Sequence, residues 1–368
     1  HPERSSATGA KILENFLKFV LILCMDHLNK HTLLTSCLAT LLVITACTSR
    51  PKAPDVSHIP MAVSMSRFDS ALFTIDTNHL QAGLERLHSA YPVFLPLYIT
   101  DIMNLGAYTD SSAEVQQQLH LFLTTPDFRL LEKSVAAKYG NGEALKASLT
   151  QCFRYIKYYI PSFHPPEVIT FISGIANYGA ITIDSILGIG LDMYMGEDFP
   201  PYAQIPDYPG YMIHRFAPEY ITTNCMQVIQ QQLYPPARKN GNLLEQMLEA
   251  GKQQYFLDKV LPVTPDTVKL GYTKTQLDWC RRNEQMIWQF FVQNNLLYST
   301  DWQQISHFIG DGPSTQGMPE EAPGKIANFI GWQIIKKYMS GHENITLQQL
   351  MESKDMIAIF KAAKYRPR

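Results

Sequence analysis

The chain has 368 residues, a formal net charge of −2 and 17% charged residues. It has no stripe of basic side chains, so we do not expect it to bind nucleic acid. Hydrophobic residues make up 46% of the sequence and aromatic residues 11%. This composition excludes a disordered protein and indicates a globular one with a sizeable core in one or two domains.

The first predicted element is a bacterial lipoprotein signal. A short basic segment, Lys30 and His31, precedes an apolar run that ends in Ile-Thr-Ala followed by Cys47, the pattern of a lipobox. The run 32–46 is shorter than the roughly 20 residues that a membrane-spanning helix needs. We therefore expect residues 1–46 to be cleaved as a signal peptide and Cys47 to carry acyl chains such as palmitate, which hold a protein firmly on a membrane.

The segments on either side of the signal are also interpretable. Residues 1–24 precede Met25, where a signal peptide would start, so they are either an over-extended reading frame or an artefact. Residues 47–66 are predicted to be the lipidated N-terminus and a polar tether. Thr48 is not the aspartate associated with inner-membrane retention, and no acidic run of the kind associated with surface export follows. We expect attachment to the outer membrane on its periplasmic face.

Three cysteines remain beyond the lipobox: Cys152, Cys225 and Cys280. Their wide spacing excludes a zinc ribbon and a redox CxxC motif. An odd number in an oxidising compartment allows at most one disulfide. Buried free thiols are the state we expect.

Residues 67–165 are predicted to be helical. The Ser-Ser-Ala-Glu sequence at 111–114 has the spacing of a capping box and precedes a periodic apolar segment. A second strong helix follows Asn141-Gly142 and is stopped by Pro161. This part of the chain therefore supplies the helical half of the predicted domain.

The segment from 166 onward changes character. β-branched and aromatic runs at 168–172, 180–183 and 186–194 predict two or three strands of one small sheet. A loop rich in proline and tyrosine, 199–211, is expected to be a surface for contact or a lid over a groove. Further helices are predicted at 218–233, 242–260, 273–296, 300–309 and 321–340, with a short pair after Asn344.

The predicted fold is α+β, predominantly helical with a small central sheet, over a domain 67–368. In the last long helix, Pro323 is expected to open the helix. Gly331 is expected to let a neighbouring helix come close.

The order of the elements resembles that of zincin peptidases. In those enzymes a helix carries HExxH, whose two histidines bind zinc and whose glutamate polarises a water. With Glu249 in the acid position, Leu248 and Lys252 occupy the histidine positions, and Glu284 is the downstream acid. Leucine cannot bind a metal and a lysine ammonium repels one. The sequence therefore predicts a zincin-like layout that lacks the metal motif, and no cofactor.

Other catalytic patterns are weak. The chain has no GxSxG motif and no glycine-rich phosphate loop. Asp192 could pair with Glu197 or Asp198 as acid and base, but adjacent acids in a loop are typically solvated. We expect a non-catalytic protein. A candidate groove role remains for five residues: Asp192, Glu249, Glu284, Tyr208 and Tyr211.

Several blocks of sequence form a recognisable set. They are 190–196, 209–211, 244–262, 276–280, 283–284, 287–288, 312–315 and 323–335. Together with the lipobox, this set resembles the gliding motility lipoprotein GldB family of Bacteroidota. The last block, which joins Pro323-Gly324-Lys325 to a Gly-Trp helix interior, is the most specific.

The resemblance implies a cell-envelope lipoprotein that is needed for gliding and acts with the envelope machinery that also serves type IX secretion. It brings no enzymatic activity and no catalytic residue. We therefore expect two kinds of partner, the membrane through the N-terminal lipid and proteins of the envelope. The zincin-like layout is then interpreted as an inherited scaffold whose metal site has been lost.

Two alternatives stay open at this point. One is a lipoprotein that binds a peptide or glycan, with the loop 199–211 closing over it, because aromatic side chains suit both ligands. The other is an atypical zincin-like hydrolase that depends on Glu249 and Glu284.

Overall fold

A computed structural model describes residues 53–108, 113–176, 178–236 and 241–367. The predicted signal peptide, the predicted lipid-attachment residue Cys47 and the first two residues of the predicted capping box at 111–114 lie outside these ranges. From Asp55 onward the chain forms one compact unit. Within the described ranges, no helix is long and apolar enough to cross a membrane.

The chain forms a four-stranded mixed sheet, whose first strand precedes the N-terminal helices and whose other three strands follow them. Its strands are β1 (Met65–Arg67), β2 (Glu167–Phe171), β3 (Ala180–Ile183) and β4 (Ile186–Gly190). Their order is β1-β2-β4-β3, with β1, β2 and β4 parallel and β3 antiparallel to β4. All five residues of β4 are buried, as expected for a parallel strand covered on both faces.

The sequence prediction missed β1, which straddles the predicted boundary between tether and domain at 66/67. The strand is tied to β2 through a buried carboxylate: the Thr170 hydroxyl donates to Asp69 Oδ1 at 2.6 Å and Arg67 Nε donates to the same oxygen at 3.0 Å. β4 is shorter than the predicted run 186–194, because Leu191–Met193 turn into a 3₁₀ helix.

The helical prediction for the N-terminal part is confirmed. Its helices are α1 (Phe68–Phe73), α2 (Leu80–Ala90), α3 (Phe94–Leu97), α4 (Ala113–Thr124), α5 (Pro126–Tyr139) and α6 (Glu143–Tyr159). Phe68 lies at the centre of this half, with its ring edge-on to Tyr91, Phe94 and Tyr98 at centroid distances of 5.2, 5.0 and 4.8 Å. Such edge-to-face contacts add to the burial of apolar area that holds the helices together.

The second helical part follows the sheet. Its helices are α7 (Gly210–Ile213), α8 (Ile221–Leu233), α9 (Leu243–Val260), α10 (Asp266–Leu270), α11 (Lys274–Arg282), α12 (Glu284–Gln293), α13 (Trp302–Ile309), α14 (Ile326–Ser340), α15 (Leu347–Glu352) and α16 (Met356–Ala363). The fold is thus mostly helical with a small sheet, and the α+β prediction is confirmed.

Two predicted helix boundaries in this part are wrong. The single helix predicted at 273–296 is divided at Asn283, whose non-helical backbone ends α11 and precedes α12. The helix predicted from 321 begins only at Ile326, because Lys325 adopts a left-handed conformation with φ of 56°. Pro323 therefore lies before the helix rather than opening it.

The central helix pair is α9 against α14. A Cβ on Gly331 would lie 1.7 Å from the carbonyl oxygen of Met247, and one on Gly251 would lie 2.2 Å from the carbonyl oxygen of Gly331. The two backbones therefore touch, which only glycine permits at these positions. The expectation that Gly331 allows a close helix approach is confirmed.

The three cysteines of the domain are free and buried, as predicted. Burial raises the pKa of the Cys152 and Cys280 thiols to about 12 and raises that of Cys225 further. Each thiol is therefore protonated at neutral pH.

Candidate functional site

Asp192 lies at the carboxyl end of β4 and is fully buried. Its Oδ2 accepts hydrogen bonds from the backbone N–H of Ser173 at 2.9 Å, the Ser173 hydroxyl at 3.1 Å and the backbone N–H of Ile175 at 2.7 Å. Among the described residues, no hydrogen-bond partner faces its Oδ1. The expectation of a solvated acid in a loop is therefore wrong for Asp192.

Burial decides the protonation of this carboxyl. Loss of water raises the pKa of Asp192 to about 6, although the three hydrogen bonds to Oδ2 oppose the rise. The side chain holds the turn that follows β2 against the end of β4. In this position Asp192 can take up a proton near pH 6 but cannot meet a substrate, because no part of it reaches the surface.

The turn that Asp192 holds is strained. Ile175 has a φ of 62°, in the left-handed region that β-branched residues rarely adopt. The carbonyl of Ile175 accepts a hydrogen bond from the Tyr208 hydroxyl at 2.7 Å. Asp192 and Tyr208 thus bind the N–H and the C=O of the same residue, so the structure brings two of the predicted groove residues together.

The proline- and tyrosine-rich loop is more deeply packed than predicted. Tyr202 is fully buried, and its hydroxyl donates to the Asp192 carbonyl at 2.6 Å and accepts from the Met195 N–H at 2.9 Å. Tyr208 is 9% exposed. The expectation of an exposed aromatic surface is therefore wrong for Tyr202 and Tyr208, whose rings both pack on Phe216.

Glu249 faces a buried lysine. The Nζ atom of Lys252 lies 3.4 Å from Glu249 Oε2 and donates to the carbonyl of Ser353 at 2.9 Å. Burial lowers the pKa of Lys252, and the charge of Glu249 partly opposes this. The carboxylate is therefore paired with the side chain that stands in the second histidine position of the HExxH frame.

Glu284 lies in a different place. Its Oε1 accepts a hydrogen bond from the Tyr365 hydroxyl at 2.7 Å, at a depression that is also lined by Lys336, Lys337 and Lys364. Burial and the neighbouring Glu284 raise the pKa of Tyr365. Glu249 and Glu284 thus have separate partners, and no contact between them is found in the described part of the chain.

Tyr211 lines a cavity of about 210 Å³ with residues that the sequence analysis did not group. A guanidinium nitrogen of Arg215 donates a hydrogen bond to Asp311 Oδ2, and Lys325 Nζ lies 3.2 Å from the same oxygen. The imidazole Nε2 of His214 lies 3.3 Å from the carbonyl oxygen of Gly271. The remaining walls are partly apolar and include Leu270, Tyr272 and Pro323.

The charges within this cluster shift the pKa values of Asp311 and Lys325. Burial would raise the pKa of Asp311, but the charges of Lys325 and Arg215 outweigh it and hold that pKa below its usual value. Burial lowers the pKa of Lys325, partly opposed by Asp311, while the charge of Arg215 lowers it further. Two cations share one carboxylate, so the cluster retains positive charge that an anion could neutralise.

Close backbone contacts hold the loop that carries Lys325 at the edge of the cavity. A Cβ on Gly324 would lie 2.4 Å from the carbonyl oxygen of Gly312, so the backbone at the start of the loop 310–325 touches the backbone near its end. Lys325 donates its N–H to the Gly310 carbonyl at 3.0 Å and accepts at its own carbonyl from the Tyr272 hydroxyl at 3.0 Å. These contacts fix Lys325 in its left-handed conformation.

Sequence reasoning missed the cluster of Arg215, Asp311 and Lys325. The one available signal in the sequence is the Pro323-Gly324-Lys325 block, which carries the family resemblance and also holds one of the two cations. Within the ranges that the structure describes, no group of three or more His, Cys, Asp or Glu side chains could hold a metal ion.

The family model described as "Gliding motility protein GldB" matches residues 49–367. No curated protein and no solved structure matches the chain.

Proposed function

Since the chain belongs to the GldB family of gliding motility proteins, whose family model matches residues 49–367, we propose that it is a non-catalytic lipoprotein anchored to the outer membrane. It supports gliding motility or the associated cell-envelope and type IX secretion machinery through contacts with envelope proteins. The family match over most of the chain is the observation that carries this proposal.

The anchor is proposed from the sequence. The apolar run and the lipobox ending at Cys47 precede the matched residues, and a polar tether follows the cysteine. Two or three acyl chains, at about 0.8 kcal/mol per buried CH₂, are sufficient for stable attachment. The tether leaves the folded part free on the periplasmic face.

The non-catalytic role is supported by the surroundings of Glu249. If the layout is that of a zincin, α9 is the helix that would carry the metal motif, and its residues do not fit zinc. Leu248 has no donor atom, and the ammonium of Lys252 lies 3.4 Å from the carboxylate that would polarise a water. The lysine occupies this buried position as a fixed internal cation, so we interpret the helix as structural.

A second candidate function is ligand binding, which the cavity at Tyr211 favours. Tyr211 belongs to the loop 199–211 that the sequence predicts as a lid. The cavity combines charged side chains with apolar walls, as small-molecule sites do. An envelope lipoprotein with such a site would bind a peptide or a glycan while it is attached to the membrane.

Complementation of a deletion strain tests the proposal. We expect the strain to lose gliding and to regain it with the wild-type gene. We expect Glu249→Gln and Glu284→Gln to restore gliding equally well, because neither carboxylate acts in chemistry. A folded Glu249→Gln protein, present at the wild-type level but unable to restore gliding, would contradict the non-catalytic role and favour the hydrolase.

A further inference from the structure

The cavity at Tyr211 carries an excess of positive charge. Its charged lining consists of Arg215, Lys325 and Asp311, so two cations face one carboxylate and the net charge is +1 with His214 neutral. The side chains of Arg215, Asp311 and Lys325 are 18%, 33% and 31% exposed. The cluster is therefore partly desolvated yet open to a ligand from solvent.

The position of Lys325 is enforced by the backbone. Its φ of 56° lies in a region that non-glycine residues seldom occupy, and such strain is concentrated at functional sites in proteins. Tyr272, whose ring is buried, and the Gly324–Gly312 contact hold this conformation. In this conformation the ammonium of Lys325 lies 3.2 Å from Asp311 Oδ2.

The charge and the walls define the class of ligand. One carboxylate neutralises the net charge of +1, and an arginine fork matches carboxylate geometry. A phosphate dianion would leave the cluster with a net charge of −1. The walls at Tyr211, Leu270 and Pro323 suit an apolar side chain next to that carboxylate. A volume of about 210 Å³ is smaller than the roughly 300–1,000 Å³ of sites for drug-sized ligands, so a single terminal residue fits best.

We propose that this cavity binds the C-terminal carboxylate of a peptide, with Arg215 and Lys325 as the groups that contact the carboxylate and Tyr211 and Leu270 as the wall for the last side chain. The proposal rests on the ligand-binding candidate function. Asp311 holds the two cations in place and limits the charge that the cavity accepts.

Calorimetric titration of the purified full chain provides the first test. The probes are N-acetyl-phenylalanine, its C-terminal amide, glucuronate and inorganic phosphate. We expect the free acid to bind and the amide to bind at least about tenfold more weakly, because charge-assisted hydrogen bonds to the carboxylate are lost. Glucuronate represents a carboxylate from a glycan, and phosphate represents a dianion.

Variants locate the binding and separate it from a structural role. Arg215→Gln is expected to weaken binding of the acid about tenfold, and Lys325→Gln serves the same purpose if Arg215→Gln fails to fold. Asp311→Asn removes the one negative charge of the cavity, while the amide oxygen of the asparagine can still accept the hydrogen bond from Arg215 and hold it in place. We therefore expect tighter binding, which loss of structure could not produce. Lys274→Gln is the matched control, because it removes one exposed positive charge from α11, directly after Thr273 of the cavity lining and without lining the cavity itself.

The results separate the two levels of the proposal. Equal binding of acid and amide would overturn carboxylate recognition but leave ligand binding standing. Tighter binding of glucuronate or phosphate than of the acid would overturn the peptide assignment. Failure of all four probes to bind would overturn both the carboxylate site and the ligand-binding candidate. Unchanged affinity in Arg215→Gln and Lys325→Gln would place the binding elsewhere.

Discussion

The substitution Asp192→Asn isolates the effect of one buried carboxyl on stability. Asparagine has nearly the same shape, and its oxygen can accept the hydrogen bonds that Ser173 and Ile175 donate to Oδ2. Its amide nitrogen then takes the place of Oδ1, which has no partner among the described residues of the wild-type chain. The variant therefore keeps the hydrogen bonds from Ser173 and Ile175 but has no carboxyl group at position 192 that could take up a proton.

The magnitude follows from the pKa of Asp192. Folding raises it from 3.8 to about 6, and each pKa unit corresponds to about 1.4 kcal/mol, so the total effect is roughly 3 kcal/mol. Because the pKa is raised, the folded state binds more protons than the unfolded state between about pH 4 and pH 6. The contribution of Asp192 to stability is therefore greatest below pH 4 and is lost as the pH rises through 6.

Urea unfolding at several pH values between 4 and 7 measures this effect. At each pH, the free energy of unfolding of the wild type is subtracted from that of the variant. The effects of all other titrating groups cancel in this difference. We expect this difference to rise by roughly 2.4 kcal/mol in favour of the variant between pH 4 and pH 7, because the rest of the total effect falls below pH 4. Asp207→Asn, which removes an exposed acid from the loop 199–211, is the control and is expected to show no such rise.

Two results would refute the reasoning about Asp192. A difference that does not change with pH would show that the folded protein does not perturb this carboxyl. A difference that moves in favour of the wild type as the pH rises would show that the carboxylate is stabilised by its hydrogen bonds more than it is penalised by burial.

Three further predictions concern packing and reactivity. Gly331→Ala is expected to destabilise the fold by about 3 kcal/mol or more, seen as a lower urea midpoint, because its Cβ would lie 1.7 Å from the Met247 carbonyl oxygen; an unchanged midpoint would contradict the backbone contact. Gly341→Ala at the end of the same helix is the control, because its Cβ would meet nothing closer than 3.7 Å. Tyr208→Phe is expected to cost about 1 kcal/mol in the same assay through loss of the hydroxyl bond to Ile175, and a stabilised variant would argue against that bond. A thiol reagent is expected to modify the three buried cysteines of the domain, Cys152, Cys225 and Cys280, only at the rate at which the protein unfolds. Rapid modification in native buffer would contradict their burial.

Local sequence patterns predicted much of the fold. Helix α9 was predicted at 242–260 and lies at Leu243–Val260, where Asn242 and Glu245 form a capping box. Strand β2 was predicted from its β-branched residues. In contrast, β1 has only three residues and becomes a strand by pairing with β2, which no local pattern reveals. The split of one predicted helix at Asn283 is accompanied by a local contact, because the side-chain amide of Asn283 donates to the carbonyl of Trp279 at 2.9 Å.

The candidate site was harder to predict, because its parts are distant in the sequence. Arg215 and Asp311 are 96 positions apart, and each alone has the appearance of an ordinary surface charge. Asp192 is predicted to be a candidate acid, but its hydrogen-bond partners Ser173 and Ile175 lie in another turn. Residue types thus indicated some of the side chains that carry chemistry, and only the fold determines which side chains meet.

Lipid attachment at Cys47 is the measurement that tests the central claim most directly. The wild-type protein and a Cys47→Ala variant are expressed in the deletion strain with an alkyne analogue of palmitate, and labelling, membrane fractionation and gliding are recorded together. We expect the wild type to be labelled and to sediment with the outer membrane. We expect the variant to be unlabelled, soluble in the periplasm and unable to restore gliding. An unlabelled variant that still sediments with the membrane and restores full gliding would contradict the account of an acyl-anchored gliding protein.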